Sequence, residues 1–284
     1  MKRLIKVLTI LCIICGFIAV TVFYGTEIAV KNIMIVNKTI ESNKINEDIH
    51  LKVAYISDIH YNHYMNYDRL QKMVEKINSN KPDIILFGGD IFDQPSTYPI
   101  DEKTENEIVE LLQSLQAEYG KFAVLGEEDY DPKVVDIHEL LFKCDFEVLT
   151  NKQIFITKDG KTMINLIGID SLIGGTPDIE SAFENVDTNL FTIVLTHAPD
   201  IMSQLPTNEI DLVLSGHSHG GQISLPIVGS LKKVKGATTY SQGTYYINQT
   251  QLIVSNGLGT TENDVRIFAD PECHMIRITK SNNQ

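Results

Sequence analysis

Short apolar runs that alternate with amphipathic stretches constrain the fold of this 284-residue chain more than any other feature. Residues 52–57 and 83–87 are apolar runs of strand length, and residues 67–80 place apolar side chains along one helical face. The alternation continues through a predicted helix at 102–117, a strand at 122–125 and a helix at 132–142. Strands that alternate with helices predict an α/β fold with βαβ units and a sheet of parallel character.

The second half of the chain is richer in strands. Asp159-Gly160 is a strong hairpin-turn signal between strands predicted at 153–157 and 163–169. Residues 27–40 alternate loosely, which predicts an edge strand, and residues 41–48 have the composition of a polar linker. Further strands are predicted at 191–195, 212–214, 245–248, 252–255 and 275–279. A βαβ half followed by a β-rich half predicts two sheets packed face to face with helices outside. No Gly-rich or Pro-rich linker divides residues 27–284, so we expect them to form one domain.

The N-terminus predicts a membrane-spanning segment. Basic side chains at positions 2, 3 and 6 precede an uncharged stretch from residue 7 to residue 24. At about 1.5 Å per residue, such a helix just spans a hydrocarbon core of about 30 Å. The basic flank before it and Glu27 after it predict a cytoplasmic N-terminus, a single pass through the cell membrane and an extracytoplasmic remainder. A cleaved signal peptide is the alternative, but no small-x-small cleavage site follows Phe23. We therefore interpret residues 1–26 as a signal anchor.

The charge balance excludes one class of function. The chain carries 24 basic and 37 acidic residues, a formal net charge of −13. A surface this acidic repels nucleic acid and anionic lipid headgroups, so we expect no nucleic acid as a partner and disfavour a nuclease. A phosphate ester remains a compatible substrate where metal ions supply local positive charge.

Polar motifs follow five of the predicted strands, at the carboxyl ends where open α/β sheets place their sites. Any one of them alone is more typical of a turn or a helix cap. Burying several imidazoles beside several carboxylates is unfavourable without cations, and two divalent ions that share a carboxylate would resolve this. Mixed His and Asp ligands suit Mn, Fe or Zn better than Ca or Mg. The motifs are Asp58-Ile59-His60, Gly88-Gly89-Asp90-Ile91-Phe92-Asp93, Gly126-Glu127-Glu128-Asp129, Thr196-His197-Ala198-Pro199-Asp200 and Gly216-His217-Ser218-His219-Gly220-Gly221.

The order of these motifs resembles the signature of the calcineurin-like metallophosphoesterases, D-x-H, G-D-x-x-D, G-N-H-[DE], H and G-H-x-H. Ser215–Gln222 and Val265-Arg266-Ile267-Phe268, with Gly257-Leu258-Gly259-Thr260 before the latter, resemble the membrane-anchored bacterial branch of that family. The resemblance covers residues 52–279. It implies a four-layer α/β/β/α sandwich of two mixed sheets, here preceded by one N-terminal transmembrane helix. The domain boundaries are then 1–26 for the anchor and 27–284 for the metallophosphoesterase domain.

The resemblance also implies a binuclear metal centre with two divalent ions, Mn, Fe or Zn. A metal-bound hydroxide is the nucleophile in the family, so no Ser or Cys nucleophile is needed. The motif residue Asp93 is expected to orient a ligand rather than to bind metal. Carried over by motif, the first ion has Asp58, His60 and His219, the second has Glu127, His197 and His217, and Asp90 bridges both.

The motif Gly126-Glu127-Glu128-Asp129 departs from the family pattern. Glu127 stands where the family has a ligating Asn, and Glu128 stands where it has a proton-donating His. The proton donor is then a carboxyl group, another residue or none. We name Glu128, Asp129 and His63 as catalytic candidates, with Asp129 placed to orient a donor at position 128. His63 in the first loop is a substitute donor or a solvated side chain.

These observations predict a metal-dependent hydrolase of phosphomonoesters or phosphodiesters. The expected substrate is a phosphoester outside the cytoplasm, such as a lipid phosphate or a cell-envelope compound. The alternative is a metal-bound but catalytically weak domain that binds or senses a phosphorylated envelope ligand. The unusual motif at residues 126–129 is the feature that favours this alternative.

Overall fold

The N-terminal apolar run forms one long helix. The computed structural model describes residues 1–46, 49–158 and 161–281. Helix α1, Lys2–Phe23, continues into a π-helical turn at Tyr24–Ile28 and a 3-10 turn at Ala29–Lys31. None of the residues of α1 is buried against the domain. The helix is long and apolar enough to span a membrane.

The first half of the chain builds most of a six-stranded mixed sheet. Its strand order is β1–β14–β2–β3–β4–β5. Strands β2 to β5 run parallel, β14 runs antiparallel to β2, and β1 runs parallel to β14. The strands are β1 Met34–Ser42, β2 Leu51–Ile56, β3 Ile84–Phe87, β4 Lys121–Ala123, β5 Phe146–Val148 and β14 Glu272–Lys280.

Three amphipathic helices cover one face of this sheet. They are α2 Tyr67–Ser79, α3 Glu102–Gln113 and α4 Ile137–Lys143. Each begins at a polar side chain that accepts a hydrogen bond from the backbone N–H three residues on, at Asn66, Asp101 and Asp136 respectively. Such caps satisfy an otherwise unpaired donor and stabilise a helix by about 1 kcal/mol each. The apolar face of each helix packs on β2, β3 and β4 in one continuous core.

The second half of the chain builds the other six-stranded mixed sheet, with the order β12–β13–β9–β8–β7–β6. Strands β7, β8, β9 and β13 run parallel, and β6 and β12 pair antiparallel at the two edges. A separate two-stranded hairpin joins β10 and β11. The strands are β6 Lys152–Lys158, β7 Lys161–Gly168, β8 Phe191–Leu195, β9 Leu212–Ser215, β10 Ser224–Leu225, β11 Gly229–Ser230, β12 Gly243–Ile247 and β13 Thr250–Val254.

The two sheets bury an apolar layer between them. Leu86 of β3 and Leu214 of β9 belong to this inter-sheet core and are fully buried. Helix α5, Ile179–Phe183, and the 3-10 turn Pro199–Gln204 cover the outer face of the second sheet. This is the four-layer α/β/β/α sandwich of two mixed sheets that the family resemblance implied, and that prediction is confirmed.

Several element boundaries differ from those predicted. The edge strand begins at Met34 rather than at residue 27, because the backbone stays helical through Lys31. The run near residues 275–279 forms β14, which lies in the first sheet between β1 and β2 rather than with the second-half strands. Helix α4 begins at Ile137 because Asp136 caps it, and α3 ends at Gln113, four residues early. The turn at residues 159–160 and part of the predicted linker lie outside the described residues.

Candidate metal centre

The five polar motifs meet at one edge of the sandwich. They follow β2, β3 and β4 of one sheet and β8 and β9 of the other, and parallel strands present their carboxyl ends on the same side. Five of the seven predicted ligands have a left-handed backbone, which is uncommon for residues other than glycine and is held only by strong surrounding contacts. These are Asp58, His60, Asp90, His217 and His219, with φ of 52°, 47°, 61°, 68° and 52°.

The first ligand group combines residues from the first and the last of the five motifs. Ligand atoms of Asp58, His60 and His219 lie within 4.8 Å of one another, and all three residues are buried. Nε2 of His60 lies 3.0 Å from Nε2 of His219. Nε2 of His219 lies 3.8 Å from an oxygen of Asp58. The three side chains therefore converge on one point, although 159 residues separate His60 from His219.

Neighbouring charges act on the imidazoles of this group in opposite directions. Burial alone would lower the pKa of His60, but the contact with Asp93 and the charge of Asp90 raise it to about 9. Nδ1 of His60 lies 3.4 Å from the Asp93 carboxylate, as expected of a residue that orients a ligand. Burial and the positive charges of His60 and Arg266 hold the pKa of His219 well below its ordinary value. A neutral imidazole is the form that binds metal.

The second ligand group has a different geometry. Nε2 of His197 and Nδ1 of His217 each lie 2.8 Å from a different oxygen of Glu127. The opposite ring nitrogens donate to backbone carbonyls at 2.6 Å, Nδ1 of His197 to Gly88 and Nε2 of His217 to Lys235. A carbonyl can only accept, so these bonds set the tautomer of both rings. In the neutral form, which is the one that binds metal, each ring therefore directs its unprotonated nitrogen toward Glu127.

Asp90 lies between the two groups. One of its oxygens is 3.6 Å from Nε2 of His60 and 3.2 Å from Nε2 of His197. Its other oxygen accepts a hydrogen bond of 2.9 Å from the backbone N–H of Glu128. A single carboxylate oxygen thus reaches a histidine of each group, which is the position of a bridging ligand.

The residues fit divalent metal ions. Among the described residues, an oxygen of Glu127, Nε2 of His197 and Nδ1 of His217 are buried polar atoms without a hydrogen-bond partner. Each such atom costs about 1–3 kcal/mol when nothing satisfies it. Three carboxylates, those of Asp58, Asp90 and Glu127, add negative charge to the same small volume. Cations in the two groups would satisfy both the unpaired atoms and the excess charge.

Two glycines allow this close approach. A Cβ atom on Gly126 would lie 2.1 Å from an oxygen of Asp90, and one on Gly216 would lie 2.2 Å from an oxygen of Asp58. Contacts this short do not occur in real structures, so any larger residue would displace a carboxylate. The glycines of both motifs are therefore part of the site.

The three catalytic candidates lie in different environments. Glu128 is half-buried beside the ligand groups, and burial together with the charge of Asp90 raises its pKa to about 7. His63 is exposed and stacks on Tyr98 and against Tyr64, with ring centroids 3.9 Å apart in each pair. It belongs to neither ligand group.

Asp129 is hydrogen-bonded to the backbone of two loops of the site. Its two oxygens accept hydrogen bonds from the backbone N–H groups of Asp90, Ile91 and Gly126, at 2.8, 3.0 and 2.9 Å. This carboxylate therefore ties the loop after β3 to the loop after β4. Both oxygens accept from backbone amides and so hold the backbone of Asp90 in place, while the catalytic role of Asp129 stays a prediction.

Arg266 was not among the predicted site residues, although it lies in a motif that resembles the membrane-anchored bacterial branch of the family. Its side chain is fully buried and donates to the carbonyl oxygens of His219 at 2.7 Å and Ala269 at 3.0 Å. A further hydrogen bond goes to the carbonyl of Gly259. The guanidinium thus fixes the backbone that carries His219. The sequence signal that could have identified Arg266 is a single arginine between apolar residues in Val265–Phe268.

Comparisons with known proteins show which proteins this chain resembles. Residues 51–221 match the family model described as calcineurin-like phosphoesterase. The chain is 32% identical to the uncharacterized metallophosphoesterase YkuE of Bacillus subtilis, over 81% of this chain and 80% of that protein. It is 26% identical to the UDP-2,3-diacylglucosamine pyrophosphatase LpxG of Chlamydia muridarum, over 80% of this chain and 83% of that protein. The structure of the Haemophilus influenzae NAD nucleotidase aligns with a TM-score of 0.49 and 14% identity, over 74% of this chain and 46% of that one.

The two ligand groups predict separable metal stoichiometries. His217→Ala should leave the first group intact and retain about one ion per chain, against the two expected for the wild type. His63→Ala, which removes an exposed histidine outside both groups, is the matched control and should retain both ions. Metal content after dialysis, measured by inductively coupled plasma mass spectrometry, gives the result. Loss of both ions in the first variant would show that the groups do not bind independently.

Proposed function

The chain belongs to the calcineurin-like phosphoesterase family, and we propose that it hydrolyses phosphoric esters at a two-metal centre formed by the two ligand groups. Family membership makes it a hydrolase of ester bonds. The position of the Asp90 oxygen, within 3.6 Å of His60 and 3.2 Å of His197, is the observation that carries the binuclear proposal. A mononuclear site would need only one of these contacts.

The protein residues divide the work of the reaction. Divalent ions held by the two groups would neutralise charge on the phosphoryl oxygens and lower the pKa of the water that attacks phosphorus. Asp90 sets the spacing of the two groups, and the carbonyls of Gly88 and Lys235 hold His197 and His217 in their binding tautomers. Oxygen and nitrogen ligands in this mixture favour Mn, Fe or Zn.

We propose Glu128 as the donor of the leaving-group proton. The attack of water on phosphorus breaks the bond to the alkoxide, which takes up one proton as it leaves. Glu128 follows the ligand Glu127 directly, and its backbone N–H is bonded to Asp90, so its side chain starts at the edge of the centre. A protonated carboxyl group there can transfer its proton to the alkoxide and regain one from water.

The substrate class and location are further proposals. Helix α1 and the basic residues before it support a membrane anchor with the domain on the extracytoplasmic side. The Chlamydia relative is named as a pyrophosphatase of UDP-2,3-diacylglucosamine, a diacylated compound. We propose that this chain likewise acts on a phosphoester of a lipid or of the cell envelope.

Replacing the bridging carboxylate tests the two-metal centre. Asp90→Asn should reduce hydrolysis of bis(p-nitrophenyl) phosphate with added Mn²⁺ to near background, because a neutral amide bridges two cations poorly. Asp93→Asn removes only a residue that orients His60 and should lose about 10–100-fold. Full turnover by the Asp90 variant would contradict the proposal. Wild-type protein that binds two ions but hydrolyses no ester would support the ligand-binding alternative.

Leaving-group dependence tests the role of Glu128. Glu128→Ala should slow hydrolysis of alkyl esters by about 10²–10⁴-fold, and should barely affect nitrophenyl esters, whose leaving group needs little protonation. His63→Ala should change neither rate. An alkyl-selective loss in the His63 variant would instead assign the proton to the first loop. Equal rates for the wild type, Glu128→Ala and His63→Ala would show that neither side chain acts as a general acid.

Thiol labelling tests the topology of the full chain. Phe142 is 79% exposed on α4, whereas the native Cys144 and Cys273 are buried. A membrane-impermeant maleimide should label Phe142→Cys on cells stripped of their wall. The matched variant Lys2→Cys should be labelled only after the membrane is permeabilised. The reverse pattern would place the domain in the cytoplasm.

A further inference from the structure

An exposed apolar hairpin stands out on the surface of the domain. We call residues 223–236 the lysine hairpin; it contains β10, β11 and the segment that follows them. Nine large apolar side chains after residue 33 are exposed in the described part of the chain, and five belong to this hairpin or to the adjacent Phe268. Soluble surfaces rarely concentrate apolar side chains in this way, so the cluster marks an interaction site. The five are Leu225 39%, Ile227 108%, Val228 71%, Leu231 58% and Phe268 65% exposed.

The lysine hairpin is connected to the end of the apolar N-terminal helix through Arg266 and Ile267. The backbone N–H of Arg266 donates to the carbonyl of Gly25 at 3.1 Å. A Cβ atom on Gly25 would lie 2.9 Å from the side chain of Ile267, so the two segments touch without a gap. Ile267 in turn contacts the hairpin. It forms an isolated β-bridge with Ile223, and its carbonyl accepts a hydrogen bond of 2.8 Å from the N–H of Ser224.

These links place the hairpin near the membrane surface. If residues 7–24 span the bilayer, Gly25 lies where the hydrocarbon core ends. The hairpin tip at Ile227 is three residues from Ser224, a reach of about 10 Å at about 3.3 Å per residue. The headgroup zone on each side of a bilayer is about 5–8 Å deep. The apolar tip is therefore within reach of the lipid next to the anchor.

The charge of the segment fits the same partner. The formal net charge of −13 predicts repulsion from anionic headgroups for the chain as a whole, but the hairpin is a local exception because it carries Lys232, Lys233 and Lys235. Lys232 pairs with Glu262 at 2.7 Å while its side chain stays 54% exposed. Apolar side chains followed by exposed lysines are typical of segments that lie in the interface of an anionic bilayer.

The hairpin also touches the metal centre. Nε2 of His217 donates to the carbonyl of Lys235 at 2.6 Å, so the same segment orients a proposed ligand. A groove of about 200 Å³ is lined both by Ile223, Leu231 and Val234 of the hairpin and by His219 of the first ligand group. An acyl chain in this groove would have its phosphate near the first ligand group.

We propose that the lysine hairpin and Phe268 dock into the anionic lipid surface beside helix α1, and that the metal centre takes its phosphoester from that surface. The second part rests on the proposed phosphoesterase function. The substrate is then an amphiphile whose apolar part remains in the leaflet or in the groove. Docking itself needs only the anchor, the exposed apolar side chains and the lysines.

The chain contains no tryptophan, so a single introduced one reports its own surroundings. Ile227→Trp in the full chain, reconstituted in phosphatidylcholine–phosphatidylglycerol vesicles, should show blue-shifted emission and quenching by lipids brominated on the acyl chain. Phe142→Trp, at an exposed site on α4, is the matched control and should show neither. Water-like emission without quenching in the Ile227 variant would overturn the docking proposal.

A pair of substrates with the same reacting group tests the second part. Hexadecyl p-nitrophenyl phosphate enters vesicles, and methyl p-nitrophenyl phosphate stays in water. The double variant Ile227→Asp, Val228→Asp should lose about tenfold or more on the hexadecyl ester and less than about twofold on the methyl ester. Equal losses on both would overturn lipid delivery. Wild-type protein inactive on both would refute the phosphoesterase function and leave the quenching result standing.

Discussion

Three carboxylates and four imidazoles converge at one edge of two packed sheets, almost entirely shielded from water. Such a cluster is unfavourable on its own, because buried charge and unpaired polar atoms each cost free energy. Several features of the fold hold this cluster in place. Five of the ligands have a left-handed backbone, and glycines stand where a Cβ atom would overlap a carboxylate. The buried side chains of Asp129 and Arg266 form hydrogen bonds to the backbone of the ligand loops. The packed sheets hold these side chains rigidly, and bound cations would neutralise their charge and satisfy the unpaired polar atoms.

Sequence reasoning predicted the architecture and the membership of the site because both rest on strong local patterns. Apolar runs of strand length end in Asp or His motifs, and parallel strands bring such ends together. The side chains of each group implied by the resemblance, around Asp58 and around Glu127, lie together in space, and a third cluster of Asp58, Asp90 and His197 connects them. Their function as metal ligands remains a prediction.

Other features depend on tertiary contacts that no local pattern encodes. The pairing of β14 between β1 and β2 joins residues more than 200 positions apart, so the local pattern predicts the strand but not its place in the first sheet. The motif that contains Asp129 does not reveal that its carboxylate accepts hydrogen bonds from three backbone amides on two loops. The carbonyl of Lys235 orients His217 through a backbone atom, for which the residue type carries no information.

The most direct test of the two-metal centre is anomalous scattering from a crystal of the full chain grown with Mn²⁺. The account predicts two peaks about 3.5–4 Å apart. One should lie among Asp58, His60 and His219, the other among Glu127, His197 and His217, with the Asp90 carboxylate between them. A single peak, or two peaks with Glu127 coordinated to neither, would contradict the account.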